Sequence, residues 1–285
     1  MPAVAILTPS PSDEAFGSRW RDVLERNFEP LRISGLTLES RALTEADDLG
    51  GFALVMPLLV WGYHRDQDLW FESIDRWEAE RVRLMNPPSV LRWNADKSYV
   101  GVLGERGAPV VPTIYAERIS ENSLRDAAAA FATERVVAKP LVSSTAWKTI
   151  RWPGDPVEKG PEGAAMIQPY LPSIESDGEV SLLYFGGRFS HAIRKVPQPG
   201  EFRVQPEYDG IISRYQPAAD ELAAAERILA AVEEELLYAR VDLVRGLGGR
   251  PELIELELIE PDLYLGYDEA GRTAWAAAVE AAARR

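Results

Sequence analysis

Hydrophobic and polar positions along the chain switch repeatedly between strand and helix periods. Residues 4–7 form a short, unbroken apolar run, the pattern of a parallel strand buried on both faces. Ser12 or Asp13 is placed to cap a following helix, in which Phe16, Trp20, Val23 and Leu24 make an apolar stripe. Residues 52–60 carry the next strand pattern, interrupted by Pro57. Residues 68–84 predict a helix with Trp70, Ile74 and Trp77 on one face, stopped by Asn86-Pro87-Pro88. This alternation predicts a small parallel sheet covered by helices.

A second unit opens near Trp93, with a helix over 95–105 ended by Gly107, and Val110-Val111 leading into a strand. An alanine-rich helix over 123–132 and strands over 135–140 and 147–152 follow. A third unit opens with residues 165–168. Gly186-Gly187, between strand patterns over 179–185 and 188–196, is a hairpin signal. A helix over 218–237 precedes strands over 238–245 and 252–259, joined by a turn at 246–249. An alanine-rich surface helix is expected over 273–285. The expected class is α/β (α+β): an N-terminal parallel α/β domain over 1–92, then two α+β subdomains over 93–164 and 165–285.

Composition narrows the function. The chain has 285 residues, 46% hydrophobic and 27% charged, ordinary for a globular protein. No apolar run approaches the ~20 residues that span a bilayer, so no membrane partner is expected. The first residues carry no basic segment ahead of their short apolar stretch, unlike a signal peptide. There is no cysteine, which excludes disulfides and thiolate chemistry. Together these favour a cytoplasmic location. The net charge of −14 repels phosphate backbones, so nucleic acid is not the expected partner. With only two histidines, a metal would be held by carboxylates, which suits Mg2+ or Mn2+.

The densest chemistry lies in the two closing strands. Side chains alternate along a strand, so Arg240 and Asp242 share a face, as do Glu255 and Glu257. If the strands pair across the glycine turn, three carboxylates converge. Such a cluster repels itself unless a cation joins it. An amphipathic hairpin with a solvated acidic face fits the same spacing. Lys139 ends an apolar strand before Pro140, where it can meet a phosphate as a point charge. The loop Ser143-Ser144-Thr145 can offer amides and hydroxyls to phosphate oxygens, though it lacks the glycines of a usual phosphate loop. Lys97 opens a helix, a place where a cation is disfavoured unless an anion is bound. Lys195 and Arg203, the latter in Gly200-Glu201-Phe202-Arg203, lie on or beside a loop suited to clamping phosphate. Each of these cations, taken alone, is equally an ordinary surface residue.

In this order the segments resemble the ATP-grasp ligases, most clearly over 93–265. Val137-Ala138-Lys139-Pro140 looks like the nucleotide-binding strand of that superfamily, and Met166-Ile167-Gln168-Pro169-Tyr170-Leu171 like its adenine hinge. Gly178-Glu179-Val180-Ser181 is similar to the segment whose acid contacts ribose. Gly200-Glu201-Phe202-Arg203 resembles the phosphate-facing loop of the ligases that add glutamate to a ribosomal protein. Arg240-Val241-Asp242 and Glu255-Leu256-Glu257 match the paired metal-binding strands, with Glu257 where many members have asparagine and a further acid, Glu260, before Pro261. A narrower resemblance, through Trp61-Gly62-Tyr63-His64, Trp93-Asn94-Ala95-Asp96-Lys97, Phe189-Ser190-His191-Ala192 and residues 255–261, is to ligases of the O-ureidoserine cyclo-ligase kind, which close the ring of D-cycloserine.

The resemblance implies an ATP-grasp fold whose two α+β subdomains clamp ATP. It implies that Lys97, Lys139, Ser143, Ser144, Gln168, Tyr170, Leu171 and Glu179 hold the nucleotide and that Asp242, Glu255 and Glu257 hold Mg2+. Arg203, Arg240 and Lys195 would stabilise the transferring phosphoryl group. Tyr63, His64 and His191 are candidates for the substrate pocket, with a structural role for the histidines as the alternative. The implied reaction activates the carboxylate of a small amino-acid-like substrate as an acyl phosphate for attack by an amine on the same or another molecule. A phosphotransferase on the same fold and a non-catalytic nucleotide-binding module are the rival readings. A monomer and a homodimer fit equally.

Overall fold

The computed structural model describes residues 1–10, 16–144, 146–198 and 210–285. Ser12, Asp13, Thr145 and the segment Gly200-Glu201-Phe202-Arg203 therefore lie outside the described residues.

Among the described residues, three sheets organise the chain. The first is parallel, with β1 (Ala3–Thr8) between β2 (Thr37–Ala42) and β3 (Leu54–Met56). Val4, Ala5, Ile6 and Leu7 are fully buried, as a continuous apolar run requires when both faces are covered. The covering helices are α1 (Arg19–Phe28) and α2 (Gln67–Ala79), the latter capped by the Asp66 carboxylate accepting from the Leu69 amide. Trp70, Ile74 and Trp77 are all fully buried on the inner face of α2.

Two helices connect this unit to the rest, α3 (Pro88–Ala95) and α4 (Tyr99–Glu105). The middle sheet has the order β4-β7-β5-β6 and is antiparallel, from β4 (Ile114–Ala116), β5 (Val136–Pro140), β6 (Ile150–Trp152) and β7 (Ala165–Pro169). Helix α5 (Glu121–Ala130) packs on it through Leu124, Ala127 and Ala128. The short helix α6 (Ser173–Ser176) leads into the third sheet. That sheet is antiparallel, of order β10-β9-β8-β11-β12: β8 (Glu179–Phe185), β9 (Arg188–Val196), β10 (Ile211–Tyr215), β11 (Tyr238–Arg245) and β12 (Pro251–Glu257). Gly186 and Gly187 turn the β8–β9 hairpin with φ of 55° and 74°, values that favour glycine at both positions. Helix α7 (Ala219–Ala230) covers one face of this sheet through Ala224, Ala225 and Ile228, and α8 (Glu269–Ala283) closes the chain.

Several expectations are corrected. The helix read over 95–105 begins only at Tyr99, because Ala95 ends the preceding helix, Asp96 is extended and the Lys97 amide bonds to the Leu141 carbonyl at 2.9 Å. The helix read over 68–84 stops at Ala79. Arg81 turns with φ 57°, and the Arg83 carbonyl and Met85 amide then bond to Val55 beside β3. The strand read over 52–60 is three residues long, ended by Pro57, and that over 147–152 begins only at Ile150, after Ala146 and Lys148 turn with φ of 55° and 50°. The helix read to 237 ends at Ala230. Strand β7, read as the start of the third unit, pairs with β4 and β5 of the middle sheet. The final helix is not a surface element. Trp275 and Val279 are fully buried in a core shared with Val4 and Ile6 of β1 and Leu183 of β8.

Candidate active site

The register of the third sheet builds the site. Asp242 lies opposite Glu255, and Arg240 opposite Glu257, across β11 and β12. On the other side Asp242 faces Ser181 of β8, and Glu179 of β8 faces Lys195 of β9. Alternation puts all seven side chains on one face. The other face carries Val180, Leu182, Val241 and Leu256, packed beneath α7. The metal-type oxygens of Asp242, Glu255 and Glu257 lie within 4.8 Å of one another. Glu260, the extra acid, stands outside this set.

Asp242 is the electrostatic centre. It is fully buried and accepts from Arg240 at 2.9 and 3.0 Å, from Lys195 at 3.3 Å and from Ser181 at 2.5 Å. Burial alone would raise its pKa, but Arg240 and Lys195 outweigh burial and hold the carboxyl well below its usual range. Lys195 also pairs with Glu179, and Arg240 with Glu257. Burial pushes Glu179 up to about 7 and Glu257 up to about 8 against these cations. Glu255 is held down by Lys97, 3.0 Å away, and by Lys139, against the opposing effect of burial.

The outer edge of β12 is covered rather than left open. Asn94 on α3 donates to the Leu256 carbonyl at 2.8 Å and accepts from the Leu258 amide at 2.9 Å. The Tyr99 hydroxyl on α4 accepts from the Leu256 amide at 2.9 Å. The helices flanking Lys97 thus hold the strand that carries Glu255 and Glu257.

Two cavities meet at this cluster. The narrower has an apolar floor of Val111, Val137, Leu171, Ile174 and Ile254, with Lys139, Gln168 and Glu179 on its walls. Gln168 is 2% exposed; its Nε2 donates to Thr113 at 3.0 Å, while its buried Oε1 has no hydrogen-bond partner. An acceptor without a partner among the described residues, in a cavity with an apolar side, fits a base bearing an amino group. The wider cavity runs from Arg240, Asp242 and Glu257 to Phe16, Trp61, Tyr63, Tyr264 and the arginines Arg19 and Arg26 of the first unit. Lys97, Ser143, Ser144, Glu179 and Glu255 line both. An all-oxygen donor set of three carboxylates at this junction fits Mg2+ completed by phosphate oxygens.

The expected site residues therefore come together, with four exceptions. Arg203 lies outside the described residues. Tyr170 belongs to the narrow cavity's lining, but its ring is stacked beneath Arg135 at 4.3 Å and its hydroxyl bonds to Glu175. His64 reaches Ser144 rather than the wide cavity, with 3.2 Å between Nδ1 and Oγ. His191 is 4% exposed, bonds through Nε2 to the Leu263 carbonyl at 3.0 Å and packs against Gly271, which leaves it a structural group. Sequence reasoning missed Ser181 and Asn94 as supports of the site. Asn94 belongs to the Trp93–Lys97 motif, but nothing local marks its partner.

Three sheets in this order, with two lysines, paired carboxylate strands and a cavity lined by residues of the second and third sheets, are the arrangement of the ATP-grasp class of ligases. No protein-family model matches the chain. It nonetheless belongs to the ATP-grasp ligases that include the cycloserine biosynthesis protein DcsG of Streptomyces lavendulae, with 32% identity over 273 residues, 88% of this chain and 91% of that protein. The crystal structure of D-cycloserine synthetase DcsG superposes with a TM-score of 0.82 at 27% identity, covering 98% of this chain and 99% of that one. The fold is shared with D-alanine–D-alanine ligase from Bacillus anthracis (TM-score 0.70, 14% identity, 99% and 96% covered). It is also shared with the ATP-grasp ligase PsnB complexed with minimal precursor, Mg and ADP (TM-score 0.64, 16% identity, 99% and 97% covered). Family membership makes the chain a carbon–nitrogen ligase using ATP and Mg2+, and sets aside the phosphotransferase and non-catalytic readings. Among the described residues, no helix is long and apolar enough to cross a membrane.

Proposed function

We propose that the enzyme activates the carboxylate of a small amino-acid-like substrate as an acyl phosphate and joins it to an amine, releasing ADP and phosphate. The observation that carries this reading is the junction of the two cavities at Lys97, Ser143, Ser144, Glu179 and Glu255. A nucleotide in the narrow slot, with its base on the hinge Gln168, Tyr170 and Leu171 and its phosphates on Lys97 and Lys139, points its terminal phosphate into the wide cavity. The substrate carboxylate oxygen attacks that phosphorus and ADP leaves. The amine nitrogen then attacks the acyl carbon, phosphate departs with the acyl C–O bond, and the amine gives up a proton.

Mg2+ held by Asp242, Glu255 and Glu257 would supply charge neutralisation between phosphates. The chain's own part is positioning and electrostatics. Arg240 and Lys195, anchored on Asp242, present positive charge where the transferring group passes, and Arg203 is assigned beside them on the family resemblance alone. Glu179 is suited to accept from ribose hydroxyls. Tyr63 and the aromatic wall line the cavity that would receive the substrate, and whether the amine is on the same molecule is the finer form of the proposal.

The test is twofold. Titration calorimetry with a non-hydrolysable ATP analogue should show binding that strengthens with Mg2+. A screen of amino acids and O-ureidoserine should then find one that triggers phosphate release, with a product lighter than its reactants by one water. A product heavier by one phosphate would overturn the ligase chemistry.

A further inference from the structure

We propose that His64 is a positioning residue that holds Ser143 and Ser144 and the turn at 146–148, the described part of the phosphate loop, in place from the first unit of the fold. The inference rests on the reading that this loop covers the nucleotide's phosphates. The loop has no glycine, yet Ala146 and Lys148 both take left-handed backbone, at φ 55° and 50°, which costs energy for any residue with a Cβ. Among the described residues its backbone closes tight turns, with Trp147 N donating to Ser144 O at 3.0 Å and Thr149 N to Ala146 O at 3.1 Å. A shape that the backbone disfavours must be held from outside.

Among the described residues, three ties reach the loop from outside, one of them the ion pair of Lys148 with Glu162; the other two hold its phosphate-facing end. Lys97 donates to the Ser143 carbonyl at 2.7 Å. His64, in the single turn Tyr63–Arg65 that follows the first sheet, shares a hydrogen bond with Ser144 at 3.2 Å, and its ring lies 6.0 Å from that of Trp147. Ser144 lines both cavities and so borders the path proposed for the phosphates. Trp147, by contrast, is 46% exposed and has the Lys148 ammonium 4.8 Å from its ring centroid. Glycine-rich phosphate loops need no such tie, because glycine adopts these angles freely. Here one imidazole from the first unit stands in for that freedom and links the part of the chain that walls the substrate cavity to the part that covers the nucleotide.

The experiment compares wild type with His64→Ala and His64→Asn, the latter offering a polar atom near the position of Nδ1. In His64→Ala the Michaelis constant for ATP should rise about fivefold, the worth of one hydrogen bond, with kcat at saturating ATP within about twofold of wild type. Trypsin should cut after Lys148 several times faster in the nucleotide-free protein, while the unfolding temperature stays close to wild type. His64→Asn should recover most of both effects. Unchanged ATP constants and unchanged cleavage would overturn the proposal, as would a change confined to the amino-acid substrate's constant, which would make His64 a substrate contact. The nucleotide-free cleavage assay reads the loop alone, so a wild-type protein that failed to bind ATP would sink the proposed function without deciding this result.

Discussion

Lys97 stands 3.0 Å from a carboxylate oxygen of Glu255, and the same ammonium donates to the Ser143 carbonyl. One charge therefore ties the carboxylate cluster to the loop expected to cover phosphates. Lys97→Met removes both ties. Each is a charge-assisted bond worth about 1.5–3 kcal/mol, so affinity for the ATP analogue is expected to fall at least about tenfold. Calorimetry checks this, and an unchanged affinity would remove Lys97 from the nucleotide site.

Asp242 and Glu255 face each other in the register, yet their replacements should differ. Asp242→Asn leaves Arg240 and Lys195 buried with a partner lost, a change that costs about 3–5 kcal/mol. Glu255 has a side chain 32% exposed, so Glu255→Gln should cost under about 1 kcal/mol. Both should abolish turnover. Urea unfolding with an activity assay separates them: equal stability losses would mean that Asp242 does not anchor the two cations.

The parts of the fold and site that are legible in the sequence are those written in local period. Polar and apolar positions alternate along 240–243 and 254–258, so the shared faces of Arg240 with Asp242 and of Glu255 with Glu257 follow from spacing alone. Strand β2 escapes such a reading because its sequence, Thr-Leu-Glu-Ser-Arg-Ala, is polar and half exposed. The break at Lys97 depends on a bond to Leu141, 44 residues away by number, and no window around Lys97 contains that information. Ser181 looks like any strand serine until the register places it against Asp242. Helix α8 misleads through its alanines, which show no strong apolar stripe and so read as surface.

Trp275 tests that last correction. Its ring is fully buried against Phe185, with centroids 5.3 Å apart, and its indole N–H donates to the Asn27 carbonyl at 3.1 Å. The helix thereby joins the first sheet to the third. Trp275→Ala is expected to lose about 3–5 kcal/mol of stability. A loss within about 0.5 kcal/mol, typical of surface sites, would restore the reading of α8 as a surface helix.

His64 makes the fold sensitive to acid in a defined direction. Burial, with Arg65 and Lys97 nearby, lowers its pKa from 6.5 to about 4. The unfolded chain takes up this proton below 6.5 and the folded chain does not until about 4. The folded state's advantage from His64 is thus complete above 6.5 and declines as pH falls through that window. His64→Asn carries no such group, so its stability relative to wild type, near parity at about pH 7.5, should rise towards about pH 5, measured by urea unfolding. His191 is also buried and shifted downward, but it is present in both proteins and cancels from the difference. A deficit that grew on acidification would mean that His64 is charged in the folded chain. The imidazolium would then act as a donor to Ser144, and the loop would be held by charge and not by a neutral ring.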